Sequence, residues 1–373
     1  MSEINPRQIA FARIRRCYRK ARLAEALGVS IQTLQSYEAG TSAPDDAMLS
    51  RIALLLNFPR SFFFLEEDMP VISEHAASFR ALSKMSATTR ACALSAGANA
   101  FRLNEWMDAR FKLPQADLPD LSDLLPEDAA LTLRMQWGLG HAPIRNMIHL
   151  LESKGIRVFS LAEESRDVDA FCSWYEGTPF VFLNTMKSAE RIRFDAAHEL
   201  GHLVRDTYSM LHRNEMGGSR HHEIEQKANA FAEAFLMPKD AVIARRPSAF
   251  TLLQLIKIKR YWGVPLAALA RRYSDLGQVS EWTYRDLCVS ISRNGYRSTE
   301  PEPMARETSQ LLSKVMAHLQ AQNIGRSQIA RDLCVSVDEI HALTFNLTPL
   351  SVVPGGSSSR SVSSHPPQLR LTT

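Results

Sequence analysis

The stretch RFDAAHELGHL, residues 193–203, constrains this chain more than any other. His198 and His202 stand four positions apart, which on an α-helix puts both imidazoles on one face about a turn apart, near enough to share one Zn2+. Glu199 lies beside His198, where a carboxylate reaches a water activated by such a metal and takes its proton. Leu200 is expected to point into a core, and Gly201 to leave room for a close-passing chain or substrate backbone. The five-residue pattern also occurs by chance in metal-free helices, but Ala196, Ala197 and Leu203 give this one a buried setting. Two histidines do not complete a site. In HHEIEQKANAFAEAFLMP the apolar positions Ile224, Ala228, Phe231, Ala232, Phe235 and Leu236 share a helix face, and Glu225 lies beside it. That makes Glu225 the third ligand expected and Asn229 the residue expected to hydrogen-bond a metal-bound histidine. His221, His222 and Glu223 are rivals that precede the regular part of the helix.

The chain of 373 residues suits two or three domains. With 45% apolar and 23% charged residues, and no apolar run of membrane-spanning length, it reads as globular, without a membrane partner. The start MSEINPRQIAF lacks the features of a secretory signal, so a cytoplasmic, nucleoid-associated protein is expected. Five cysteines without CxxC spacing argue against a disulfide framework or thiolate cluster and read mostly as buried small hydrophobes. Net charge is only +4, but residues 1–22 hold seven Arg or Lys against one acid, Glu3, as a phosphate-facing surface requires.

Along the chain, helical punctuation divides residues 1–68 into four short helices, with Gly28 and Gly40 as stops, Ser30 as a cap and the aromatic run at 61–64 as a seal. Residues 69–128 read as a helical spacer ending in a proline-rich linker, LPQADLPDLSDLLPED. A mixed α+β region follows at 129–245, with strands near 156–159, 170–174 and 180–183, then a helical region at 246–350 and a disordered tail at 351–373. The fold class is multidomain and mainly α, with a central α+β domain. Residues 23–34 are echoed by 329–340, with Cys334 for the turn glycine and Asp338 and Glu339 for Gln32 and Thr33. Those acids favour a packing unit over a second nucleic-acid surface.

A helix entering the major groove needs neutral hydrogen-bonding side chains near its start and cations beside it. Gln32 and Thr33, then Gln35 and Ser36, are the candidate base readers; Arg15, Arg16, Arg19 and Lys20 are the candidate phosphate partners. A helical protein-interaction module with a solvated basic face is the alternative.

The run RKARLAEALGVSIQTLQSYEAGTSAP resembles the XRE (Cro/C1-type) helix-turn-helix regulators, which implies a lambda-repressor-like bundle over roughly residues 6–65. It departs from that pattern at Cys17, where Gly is usual, and at Arg19, where Thr or Ser is frequent. The span 129–238, through WGLGHAPIRNMIHLLESKGIRVF, HELGHL and EQKANAFAEAFLMP, resembles the ImmA/IrrE-type metallopeptidase domain, a zincin-like fold. The resemblance implies zinc on His198, His202 and Glu225, Glu199 as general base and Asn229 in support. Relatives often carry histidine where this chain has Asp206, so the oxyanion helper stays open among Arg193, Tyr208, His212 and His221. The order of domains resembles long bacterial regulators. Three readings follow: a transcriptional regulator binding an inverted-repeat operator in double-stranded DNA as a homodimer; an active endopeptidase cleaving a partner repressor, a toxin or itself, with the linker 112–128 of a second copy or the equivalent linker of a partner repressor as the target; and a non-catalytic sensor or antitoxin-like interaction protein.

Overall fold

The computed structural model describes residues 3–72, 86–161, 170–206 and 218–348, the side chains of 218–221 excepted. The expected tail 351–373 and, among the oxyanion candidates, Tyr208 and His212 lie outside the described residues, as does the side chain of His221. Sixteen α-helices and three strands are found among those described, so helices dominate around a small sheet. No described helix is long and apolar enough to cross a membrane.

Capping chemistry sets the limits of the first helices. Asn5 accepts from the Arg7 amide at the start of α1 (Pro6–Arg15), Ser30 from Thr33 at α3 (Ile31–Ala39), and Asp45 from Met48 at α4 (Asp46–Leu56). Between them α2 (Lys20–Leu27) stops at Gly28, whose φ of 65° is the left-handed conformation glycine adopts without strain. Ile9, Ala12, Leu23, Leu27, Leu34 and Ile52 form the core, sealed by Phe62 and Phe63 from the 3-10 turn Arg60–Phe64. The buried face of α1 is Gln8, Ile9, Ala12 and Arg15. Ala10, Phe11 and Ile14, which helical spacing also allowed inward, are only half-buried.

The region read as a spacer holds a largely enclosed helix, α5 (Ala87–Asp108). Every residue from Cys92 to Phe101 is buried, because ATTRACALSAGANAF carries small side chains on all sides and other elements close in from each. At its first turns Cys92 forms a disulfide with Cys17 at the end of α1, a correction to the expectation drawn from cysteine spacing. Pairing depended on two residues 75 apart meeting in the fold, which spacing does not reveal. Midway, Phe101 stacks on Tyr175 at 4.2 Å and meets Phe180 edge-on at 4.5 Å.

Those rings belong to a three-stranded sheet. The strand order is β1 (Arg157–Ser160), β3 (Thr178–Leu183), β2 (Phe171–Tyr175), with β1 parallel and β2 antiparallel to β3. Phe159 and Phe171 both pair in register with Phe182, giving an aromatic patch across the sheet. Before the sheet come α6 (Pro126–Gln136) and α7 (Met147–Ser153); after it α8 (Ala189–Arg205) packs against β2 and β3.

The proline-rich linker is strapped down rather than free. Leu113 and Leu121 are buried, the Asp117 amide donates to Lys154 O, and the Leu121 amide donates to Val204 O at 2.7 Å. A side chain at Gly155 would stand 2.2 Å from the Gln115 backbone, so this residue must be glycine for the strap to lie here. The helices α9 (Gly218–Leu236), α10 (Lys239–Ala244), α11 (Leu252–Trp262), α12 (Leu266–Asp275), α13 (Glu281–Arg293), α14 (Gln310–Ala321), α15 (Arg326–Asp332) and α16 (Val337–Thr344) complete the chain. Lys259 of α11 reaches Glu190 in the first turn of α8 at 2.7 Å and also Glu300 at 3.1 Å, joining the carboxy-terminal helices to the central unit through a buried ion-paired cluster.

Candidate metal centre and nucleic-acid face

α8 begins at Ser188, whose hydroxyl accepts from the Arg191 amide, and runs for 17 residues with one face on the sheet and another on α9. The crossing with α9 is close because of Gly201: a Cβ there would stand 2.9 Å from Phe231 Cδ1. The close-passing neighbour expected at this glycine is therefore α9, not a substrate.

This approach brings His198, His202 and Glu225 together, with one ligand atom from each lying within 4.8 Å of the others. The two Nε2 atoms are 3.1 Å apart, His198 Nε2 is 3.3 Å from Glu225 Oε2, and His202 Nε2 is 3.4 Å from Glu225 Oε1. All three residues are buried. Behind them, His202 Nδ1 lies 2.8 Å from Asp206 Oδ2, and His198 Nδ1 lies 3.1 Å from Asn229 Oδ1. Each acceptor oxygen fixes the tautomer with hydrogen on Nδ1, which leaves Nε2 bearing a lone pair.

That donor set tests the fit of a metal. Two imidazole lone pairs at 3.1 Å repel unless a cation lies between them, and neither Glu225 oxygen makes a hydrogen bond although both are buried. Separations of 3.1–3.4 Å are close to the roughly 3.3 Å expected between ligands bonded at about 2.0–2.1 Å in a tetrahedral zinc site. Without a metal a proton must serve. Burial works against charge on His202, yet its hydrogen bond to Asp206 and the nearby carboxylates of Glu225 and Glu199 push it up to about 10. Burial works the other way on Glu225, but the two histidines hold its carboxyl well below the usual range. Both shifts express one fact: the pocket is negative and accommodates a cation. The residues present fit a metal ion.

Glu199 is buried beside this set, 3% exposed. Arg193 is not available as an oxyanion helper, and this corrects one of the four candidates. Its buried guanidinium pairs with Glu307 and donates to Trp262 O and Arg145 O, facing away from the histidines because α11 and the segment before α14 pack there. Asp206, at the carboxy-terminal cap of α8, holds His202. His222 is exposed and bonds Gln226, which removes it from the ligands, and exposed Glu223 pairs with Lys227.

At the amino-terminal face, Gln32 and Gln35 of α3 are exposed, while Thr33 and Ser36 are half-buried. Thr33 Oγ1 lies 2.8 Å from Ser30 Oγ, so it serves the cap as well as the surface. Arg19 is exposed at the start of α2; Lys20 is half-buried and pairs with Glu38 at 3.3 Å. Arg15 and Arg16, expected to face phosphates, do not. Arg15 is buried with Nε donating to Glu339 Oε2 at 2.9 Å, and Arg16 pairs with the same carboxylate while donating to Leu56 O and Asn57 O. α16 supplies a buried acid at this end of α1, and two guanidiniums satisfy it. Exposed Arg22 and Arg51 flank the turn instead, with Arg51 Nη2 3.9 Å from where a Gly28 side chain would begin. Arg51 lies on α4, far from the basic run, so charge density along the chain did not reveal it.

Comparisons with known proteins follow the same division. Residues 9–63 match the helix-turn-helix family model and residues 151–274 the model of the IrrE N-terminal-like domain. The chain thus joins a helix-turn-helix domain to an IrrE-like domain. Two curated relatives, HTH-type transcriptional regulators of Sinorhizobium medicae and Rhizobium meliloti that are themselves uncharacterized, are each 45% identical over 49 residues, 13% of this chain and 34% of theirs. The chain therefore spans about a third of the length of the curated relatives it matches.

Proposed function

We propose that this chain is a DNA-binding transcriptional regulator whose IrrE-like domain holds Zn2+ on His198, His202 and Glu225. The observation that carries the metal is the pair of Nε2 atoms 3.1 Å apart, both Nδ1 positions already committed, facing a buried carboxylate without a hydrogen bond. Zinc bound there supplies Lewis acidity. Asp206 and Asn229 orient the imidazoles, and Glu199 is the carboxylate in position to take and return a proton. At the other end of the molecule, Gln32, Thr33, Gln35 and Ser36 read base edges, and Arg19 and Lys20, joined by Arg22 and Arg51, hold phosphates. The protein binds as a homodimer on an inverted repeat, since one short helix reads only a few base pairs.

Glu199 beside the histidines favours a second reading, hydrolysis of a partner protein such as a repressor or toxin. The linker 112–128 is a poor target in a folded copy, because a scissile segment must be extended and free, whereas Leu113 and Leu121 are buried. One set of variants separates the readings. Wild type purified without added zinc should carry about one zinc per chain, His202→Ala should lose it, and Glu199→Gln should keep it. Metal-free wild type, or unchanged occupancy in His202→Ala, overturns the metal. Following co-purifying proteins by mass spectrometry then decides hydrolysis: a fragment present with wild type and absent with Glu199→Gln establishes it, and its absence while the promoter still responds leaves the regulator alone. Equal affinity for selected and scrambled DNA in a band shift sinks the base-reading claim.

A further inference from the structure

Helix α9 has a second working flank. Glu225 turns toward the histidines, whereas Gln226, Asn229, Ala230 and Glu233, spaced three, four and seven residues from the first, border α12. With Arg271 and Asp275 of that helix they line a cavity of about 460 Å3, within the size range of small-molecule sites. Glu233 is the unusual member. It is 8% exposed, and among the described residues no hydrogen bond or ion pair reaches its carboxylate. The nearby cations are already engaged: Arg271 donates to Asp275 Oδ2 at 2.9 Å, and Arg272 clamps Glu127 through two bonds of 2.7 and 2.6 Å while donating to Met237 O.

The carboxylate of this mostly buried residue thus opens onto the cavity with no protein partner among the described residues. Burial first, and then the Asp275 charge, push its carboxyl up to about 7, against the pull of Arg272 and Arg271. The cavity also shares a wall with the metal centre, because Asn229 lines it while holding His198.

We propose that this cavity binds an organic cation, a primary ammonium or guanidinium group seated between Glu233 and Asp275. The group belongs either to a free small amine or guanidine or to a lysine or arginine side chain of an extended peptide. Binding does not require the metal reading, and zinc content measured on the same samples keeps the two apart. Isothermal titration calorimetry on the full-length protein would use agmatine, the blocked tripeptide acetyl-Ala-Arg-Ala-amide, and the same tripeptide with neutral citrulline for arginine. Saturable binding of a cationic probe is expected, weakened at least about tenfold by Glu233→Gln, the loss of one charge-assisted contact, and absent for the citrulline peptide. Should Glu233→Gln fail to fold, Ala230→Leu fills the cavity from an exposed position and should block binding with the charges intact. Agmatine binding without the tripeptide assigns a free cation; tighter tripeptide binding assigns a peptide. No binding of either cation, equal binding of the citrulline peptide, or undiminished binding by both variants overturns the proposal.

Discussion

Residues 20–39 and 326–344 are built alike and used oppositely. Each has two short helices around a turn, with a residue in the left-handed region, Gly28 at φ 65° and Cys334 at φ 53°. Each second helix starts at a serine that accepts from the amide three residues on, Ser30 from Thr33 and Ser336 from Glu339. There the likeness ends. α3 leaves Gln32 and Gln35 in solvent, whereas α16 turns Glu339 inward at 1% exposure to meet Arg15, Arg16 and Asn99. Asp338, in the same turn, takes a bond from Asn57, and Asp332 takes one from Trp106. A helix-turn-helix outline therefore says how a chain bends and leaves open whether its second helix reads or packs. The residues of that helix's first turn decide, together with what the rest of the molecule places opposite them.

The most damaging way to break the comparison is Glu339→Ala. It strands buried Arg15, and loss of one partner from a buried ion pair should cost about 3–5 kcal/mol, read by urea unfolding. The double variant Glu339→Leu with Arg15→Met should recover most of it; no recovery would mean that packing and not charge is lost. This clamp also has a defined pH sense. Burial opposes ionisation of Glu339, but Arg15 and Arg16 lower its pKa below the ordinary 4.5. Its stabilisation is therefore complete above about that value and is lost as pH falls through the depressed one.

Next comes Cys17→Ser, which releases α1 from α5. A cross-link of this span is expected to contribute about 2–4 kcal/mol, and wild type under reducing conditions should fall to the variant's unfolding midpoint. A variant as stable as oxidised wild type would show the link to be idle. Gln32→Ala sharpens the functional half of the contrast. Specific DNA affinity should drop by about 1–3 kcal/mol for a lost good base contact, with non-specific binding nearly unchanged, whereas Asp338→Ala should leave band shifts as they were. Equal loss from both would erase the distinction between the two helices. The smallest effects lie in the turns. Gly28→Ala should cost about 1–2 kcal/mol because a side chain is strained at its φ, while Cys334→Gly should be neutral or stabilising by up to about 1 kcal/mol; opposite signs in thermal unfolding are the check.

Features that act over one or two helical turns were legible in the sequence. Histidines four apart share a face in any α-helix, so the juxtaposition of His198 and His202 needed only α8 to form. The cap Ser30, the stops Gly28 and Gly40, and the solvent-facing Gln32 and Gln35 follow equally local rules. Glu225 was legible as well, because the apolar stripe of its own helix showed which side turned inward. What the chain meets across long separations was decided by tertiary structure alone. Arg15 and Arg16 looked like phosphate ligands until Glu339, more than 320 residues later, took them. α5 looked like a spacer since its small residues carry no single apolar stripe, and it lies in the core because partners surround it. Gly201 faces Phe231 rather than a substrate, Arg193 faces Glu307, Cys17 meets Cys92, and the linker is tied to Lys154 and Val204. Charge, size and spacing state what a side chain can bond to; only folding brings the partner, and a buried polar group goes to whichever partner arrives.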